Sequence, residues 1–542
     1  MKKILGLLLA LCCALSAAAL GGCGRKVPDT DQTLEVYVLD AGYGNEWCKD
    51  LLALFKEQDW VKEKYPQLKT VFTHNNVRSY GSTRLGGGAN ANTIDLLFDT
   101  DLNKQTYDGP DGVLEDLAES VYNSKVPGEE ITWSKKATDS YNKSNRYTDV
   151  TGKLDGEHYY MTSWVDGMVS FLYNETLLDS LGLTVPRTTD ELEEVCEAIK
   201  TAKSTPAAPY YCFIQAKENT YWDYLHDVWW AQYEGIDNYR SFWEGYADAD
   251  AKVRSNKIFS QQGKLETLKV YETLLDSNKG YYDRSSSTYN FITAQTRFLE
   301  GNAAFTVCGD WFDNEMRATA KKIEKDNGRI DTIKMMPTPI VSALGTKLGI
   351  TETTLREVVD YVDKTAAGES AQAPQFTSTE GVSADAVIDA VKEARTVVFS
   401  LGNSHNAVIP KYAKGKQVAI DFLRFMATDI ACEQFVKSTG GATLPFNYNV
   451  KEKNGELYDS LSALQKSRLD YFNNHNAYTL PSLMSFPLAK YGKLAANAEN
   501  EYLGNFAANP KVKSAAQMFE DTKTYWTQKR FETACDNAGL LY

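Results

Sequence analysis

The chain has 542 residues, 43% hydrophobic and 24% charged, a globular composition with length for two or more packed domains. A formal net charge of −14 argues against nucleic acid and against a polyanion drawn in at long range. Aromatics reach 12%, with 32 Tyr and 10 Trp, and these side chains pair a flat apolar face with a polar tip, as a sugar site requires.

Lys2 and Lys3 open the chain, and Ile4 to Leu20 is apolar or small apart from Ser16. A charged start, a short apolar core and small residues describe a secretory signal peptide over 1–22. The 17-residue run is at the short limit for a membrane span and carries no aromatic or basic flank at its end, so an anchor helix is the weaker reading. Cys23, directly after Gly21-Gly22, resembles the site of a bacterial lipoprotein signal. That resemblance implies cleavage before Cys23, lipid such as palmitate on Cys23, and a protein held on the extracytoplasmic face of the cell membrane. Two or more acyl chains make such an anchor stable. Residues 23–33 then form a lipidated tether.

Leu34 to Leu39 alternates like a strand, Gly42 to Asn45 turns, and Trp47, Leu51, Leu54 and Phe55 share a helical face. Strands are predicted at Thr70–Thr73 and Ile94–Phe98, the second after the glycine run Gly86 to Gly88. Tyr159–Trp164 and Met168–Tyr173 read as two strands around Val165-Asp166-Gly167. Thr188 with Glu191 forms a capping box before a helix carrying Leu192, Val195, Cys196 and Ile199. Tyr210–Ile214 is a strand, followed by an aromatic helix with Tyr221, Trp222, Tyr224, Trp229, Trp230 and Tyr233. Phe291–Leu299 is helical and stops at Gly301. Ala303–Cys308 is a strand, and Gly309-Asp310-Trp311 leads into a helix. The pattern weakens over 350–398, where Ala366–Gly381 reads as a loop, and the remainder is mainly helical. Strands alternating with helices predict α/β architecture.

Signatures of catalysis and metal binding are mostly absent. Five scattered histidines form no HExxH pair. Asp99-Thr100-Asp101 begins like an EF-hand loop but fails at Lys104 and Pro110. The glycine run lacks a following Lys-Ser/Thr. Two carboxylates suffice for a glycosidase, so a lipid-anchored glycoside hydrolase remains the enzymatic alternative. Beyond the signal and Cys23, six cysteines (Cys48, Cys196, Cys212, Cys308, Cys432 and Cys535) are scattered without a CxxC pair. Burial as small hydrophobes is favoured, with one or two disulfides open.

Four segments in order carry a family resemblance. Leu85-Gly86-Gly87-Gly88 precedes Ile94-Asp95-Leu96-Leu97. Tyr160 and Val169 to Tyr173-Asn174 precede Pro186 and Thr188 to Leu192. Phe298-Leu299-Glu300-Gly301-Asn302-Ala303-Ala304-Phe305 runs through Gly309-Asp310-Trp311 to Met336-Pro337. Ile409-Pro410-Lys411 leads through Phe422-Leu423-Arg424-Phe425 to Gly440-Gly441 and Pro445. Together they resemble the extracellular solute-binding proteins of family 1, the maltodextrin-binding-like receptors of ABC carbohydrate importers.

The resemblance implies an α/β, two-lobe periplasmic-binding-protein-like fold of type II, with an interlobe ligand cleft and insertions. Crossing segments are expected near Ser163–Gly167, near Ala303–Val307 and between Pro339 and Ile409. Lobe 1 is assigned 34–163 and a return at 305–348, lobe 2 is assigned 164–304 and 400–542, and 349–399 is an insertion. The implied protein is a monomeric receptor, not an enzyme. It needs no cofactor or metal and hands a carbohydrate, as an oligosaccharide, to permease subunits; a receptor for a non-sugar solute is the other alternative.

Open α/β sheets bind ligands beyond the carboxyl ends of their strands. Candidate contacts are therefore Tyr43, Asn45, Asp99, Asp101, Trp164, Asp166, Trp229, Trp230, Asp310 and Trp311. Tyr43, Trp164 and Trp311 would stack on sugar faces and the carboxylates would accept hydroxyl hydrogen bonds.

Overall fold

A computed structural model describes residues 32–100, 102, 109–147, 154–202, 210–217, 220–481, 483, 486–494, 502–508 and 511–542. The signal peptide, Cys23 and Asp101 lie outside the described residues. Among these, the strands are β1 (Thr33–Leu39), β2 (Lys69–Asn75), β3 (Leu96–Asp99), β4 (Thr162–Ser163), β5 (Met168–Asn174), β6 (Tyr211–Phe213), β7 (Ala303–Gly309), β8 (Ile333–Met335), β9 (Val397–Ser400), β10 (Asn406–Val408) and β11 (Tyr478–Thr479).

They build two sheets. The first runs β2-β1-β3-β10-β4 and the second β11-β9-β5-β7-β6, with β8 also on β5. β1 is parallel to both β2 and β3, with Val36 opposite Phe72 on one side and Leu96 on the other. Central strands covered on both faces need near-continuous apolar runs, and β5 (MVSFLYN) and β7 (AAFTVCG) are buried throughout. Edge strand β2 keeps only alternate partial burial. The chain is thus the expected two-lobe α/β fold.

Three segments cross between the lobes. The first, Trp164–Gly167, joins β4 to β5. The second crossing is a correction. Ala303–Gly309 does not return to lobe 1, because β7 pairs antiparallel with β5 from Val169↔Gly309 to Tyr173↔Phe305 and parallel with β6. β8 likewise stays in lobe 2, so 305–348 belongs there. The return falls at Leu401–His405, after β9, and β10 then inserts between β3 and β4. Residues 400–542 are therefore split. The helices Lys416–Met426 and Asp429–Thr439 pack on β1 and on the Glu46–Glu57 helix in lobe 1. Gly440–Tyr448 crosses back, and the helix Ala463–Asn474 packs on β8 in lobe 2.

The weakly patterned 349–399 stretch holds two helices, Glu352–Ala366 and Ala384–Thr396, capped by the Thr351 and Ser383 hydroxyls and packed on each other in lobe 2. The Thr188 hydroxyl accepts from Glu191 N–H as a cap should, but Glu191 reaches back to Arg187 N–H (2.7 Å), one residue before the expected partner.

Cys196 and Cys212 form a disulfide that fastens the helix Thr189–Ala202 to β6; Cys48, Cys308, Cys432 and Cys535 are buried and free. The bridged residues are 16 apart in sequence. A loop of that length restrains the unfolded chain by about 3 kcal/mol in the entropic model. Replacing both cysteines by Ala is expected to lower the lobe 2 transition in scanning calorimetry by that amount, and added reductant is expected to have no further effect on that variant.

Candidate interlobe ligand site

The crossing segments are packed against one another. Trp164 N–H donates to His405 O (3.3 Å), and Asp166 N–H donates to Thr443 O (2.9 Å). A Cβ at Gly402 would strike the Val165 carbonyl, so this close approach requires glycine. Trp164 stacks on Trp47 at 4.5 Å and meets Tyr43 and His405 edge-on. Burial, first, and the charge of Arg78 hold His405 down at about 4, so its imidazole is neutral at physiological pH.

Beneath this aromatic layer lies a charged cluster. Tyr43, on the turn after β1, donates to Asp310 Oδ1 at 2.6 Å, and Asn314 Nδ2 donates to Gly42 O at 2.7 Å, so these bonds tie lobe 1 to lobe 2. Arg468, fully buried on the Ala463–Asn474 helix, reaches Asp166 at 3.2 Å and Gly441 O at 2.8 Å. Its Nε stands 3.7 Å from Asp310 Oδ2. Burial raises both carboxyls, Asp310 to about 6. Trp311 is 6% exposed, wedged against Gly42 and Gly309.

Next to the second crossing segment, the helix Thr220–Glu234 packs on β9. Tyr224 stacks on Phe399 with centroids 4.9 Å apart, and Tyr221 is 5.8 Å from Tyr224. Arg78 is exposed just beyond β2 in lobe 1. A groove of about 690 Å³ is lined by Ser140 of lobe 1, by Asp166 and Thr443 of the crossing segments, and by Phe472 and Tyr478 of lobe 2.

A family model places the chain. The description "bacterial extracellular solute-binding protein" matches residues 49–431. The chain belongs to that family. No curated protein sequence matches this solute-binding protein. Its fold is similar to that of RafE in complex with raffinose, at 13% identity, TM-score 0.52, with 91% of this chain and 98% of the other covered. The GacH receptor of Streptomyces glaucescens, solved unliganded and with acarbose, is 14% identical, TM-score 0.54, with 92% and 98% covered. Lmo0181 from Listeria monocytogenes, in complex with cycloalternan, is 12% identical, TM-score 0.54, with 94% and 99% covered.

Within this solute-binding fold the expected contacts separate into groups. Tyr43, Trp164, Asp166, Asp310 and Trp311 come together at the lobe junction, each no more than 6% exposed. Asn45 precedes the Glu46–Glu57 helix, with Nδ2 3.3 Å from His74 Nδ1. Asp99 is buried at the end of β3. Trp229 and Trp230 are corrections. Both are core residues of lobe 2 whose indole N–H groups donate to Pro339 O (3.0 Å) and Gln261 Oε1 (2.8 Å), leaving no face for a ligand. Tyr221 and Tyr224, near the start of the same helix and just past β6, and Phe399, just before the second crossing, were not among the expected contacts.

Among the described residues no three His, Cys, Asp or Glu side chains converge as a metal site, and no helix is long and apolar enough to cross a membrane.

Proposed function

We propose that this solute-binding protein captures a carbohydrate, as an oligosaccharide, between its lobes and delivers it to the permease subunits of an ABC importer. It is tethered by lipid on Cys23 to the extracytoplasmic face of the cell membrane, acts as a monomer and catalyses no reaction. The observation that carries this reading is the stacked pair Tyr224–Phe399, held where β9 runs into the second crossing segment. A flat aromatic flanked by polar groups takes the C–H face of a sugar ring while the polar groups fix its hydroxyls. Saccharide complexes of similarly folded proteins support the ligand class. Rotation about the three crossings would uncover Tyr43, Trp164 and Trp311 and bring Asp99 and Asn45 within reach of bound hydroxyls.

Tyr224→Ala is expected to weaken saccharide binding by about 1–3 kcal/mol, the scale of a binding hot spot, with little change in the melting temperature of the ligand-free protein. Calorimetry with the best binder from an oligosaccharide screen checks this, and unchanged affinity would remove Tyr224 from the site. Cys23→Ala is expected to move the protein from the membrane fraction to the medium. Equal membrane retention would mean that Cys23 is not the anchor.

A further inference from the structure

The lobe junction buries two carboxylates, Asp166 and Asp310, around a single guanidinium, Arg468. The sharing is unequal. Arg468 spends Nη1 on Asp166 (3.2 and 3.3 Å) and Nη2 on Gly441 O (2.8 Å), and only its Nε approaches Asp310, at 3.7 Å. Asp310 Oδ2 and Arg468 Nε both lack a hydrogen-bond partner. The support for an Asp310 anion that comes from the other lobe is the Tyr43 hydroxyl, beside a backbone contribution from Met168 on β5. With both carboxyls ionised the sealed cluster carries one uncompensated negative charge, which a low-dielectric site disfavours.

We propose that closing the lobes takes up one proton on Asp310, so that acidification drives closure. The proposal rests on the two-lobe closure described above. In an open form Tyr43 leaves, water reaches Asp310, and its carboxyl returns toward its ordinary value of 3.8; in the closed form it sits at about 6, with burial as the dominant cause and the Asp166 charge adding to it, together outweighing the downward pull of Arg468, Tyr43 and the Met168 backbone. Because the closed form holds the proton more tightly, its advantage is fully present below the open value and is lost as pH rises through the closed value.

The other groups around Asp310 do not supply this titration near pH 6. Tyr43, Tyr141 from the Asp139–Asn145 helix and Cys308 on β7 are all raised well above their ordinary values and stay protonated. His405 on the second crossing is held at about 4, and Arg468 stays charged. Asp166 on the first crossing is raised by burial but directly paired with Arg468. Asp313 and Glu315 on the following helix are also raised, yet they hydrogen-bond within lobe 2, to Ser462 and Gln295.

The test needs no ligand. Spin labels at Val71→Cys in lobe 1 and Val253→Cys in lobe 2, both exposed positions, report interlobe distance in the full chain by double electron–electron resonance. The expected result is two distance populations whose closed-to-open ratio rises on the order of 20-fold from pH 7.5 to 4.5, with a flat profile in Asp310→Asn. Tyr43→Phe, which removes the donor that favours the anion, should move the midpoint to higher pH, and it tests the proposal even where Asp310→Asn does not fold. A ratio independent of pH, or an unaltered profile in either folded variant, overturns the proton linkage while two populations still uphold closure. A single unchanging distance at every pH overturns both.

Discussion

Arg468→Met is expected to destabilise the protein by about 3–5 kcal/mol, since it leaves two buried carboxyls without their guanidinium. The loss has a pH signature. Burial already raises Asp166 and Asp310, and without Arg468 both would bind protons more readily in the folded than in the unfolded state. Stability from such groups is present at low pH and lost as pH rises through their folded values, so the deficit should be largest above pH 7 and shrink toward pH 5. Urea melts at the two pH values measure it. A small deficit, or one that does not vary with pH, would contradict the charge balance described at the junction.

Trp229→Ala is expected to cost about 3–5 kcal/mol of stability, as truncation of a fully buried aromatic does. Trp229 touches Phe171 and Tyr271 and donates to Pro339 O at 3.0 Å, so the variant loses packing and leaves a carbonyl unpaired. Saccharide affinity, measured well below the melting transition, should hold. Tyr224, less than two turns earlier on the same helix, predicts the reverse pattern. An exchange of the two outcomes would mean that the cleft runs along the other turns of this helix.

These two residues show what was legible in the sequence. The periodicity of the 220–234 segment identified a helix, and its aromatic density pointed to a site, but both ends of the helix are aromatic. Which end meets the cleft depends on where β6 and the crossing segments lie, and that is long-range information. The same limit misplaced the return to lobe 1. Ala303–Gly309 is plainly a buried strand from its apolar run, yet such a run does not specify its partners, and the pairing with β5 and β6 is set by contacts over 90 residues or more apart.

Trp311 does follow a strand and a glycine at the lobe junction. Its fit against Gly42 depends on clearance that only the folded chain displays. Arg468 carried no local signal at all, because it lies on an ordinary helix and its partners sit about 300 and 160 residues earlier. The Cys196–Cys212 bridge was likewise silent, since its spacing matches no motif.

The central claim, capture of an oligosaccharide between the lobes, is tested most directly by isothermal titration of the mature chain against malto-, chito-, xylo- and raffinose-type oligosaccharides. The account predicts that at least one binds with one-to-one stoichiometry and is recovered intact, with binding weakened in Tyr224→Ala. Hydrolysis of the titrated sugar, or no heat from any of them alongside saturable binding of a peptide or another non-sugar solute, would contradict it.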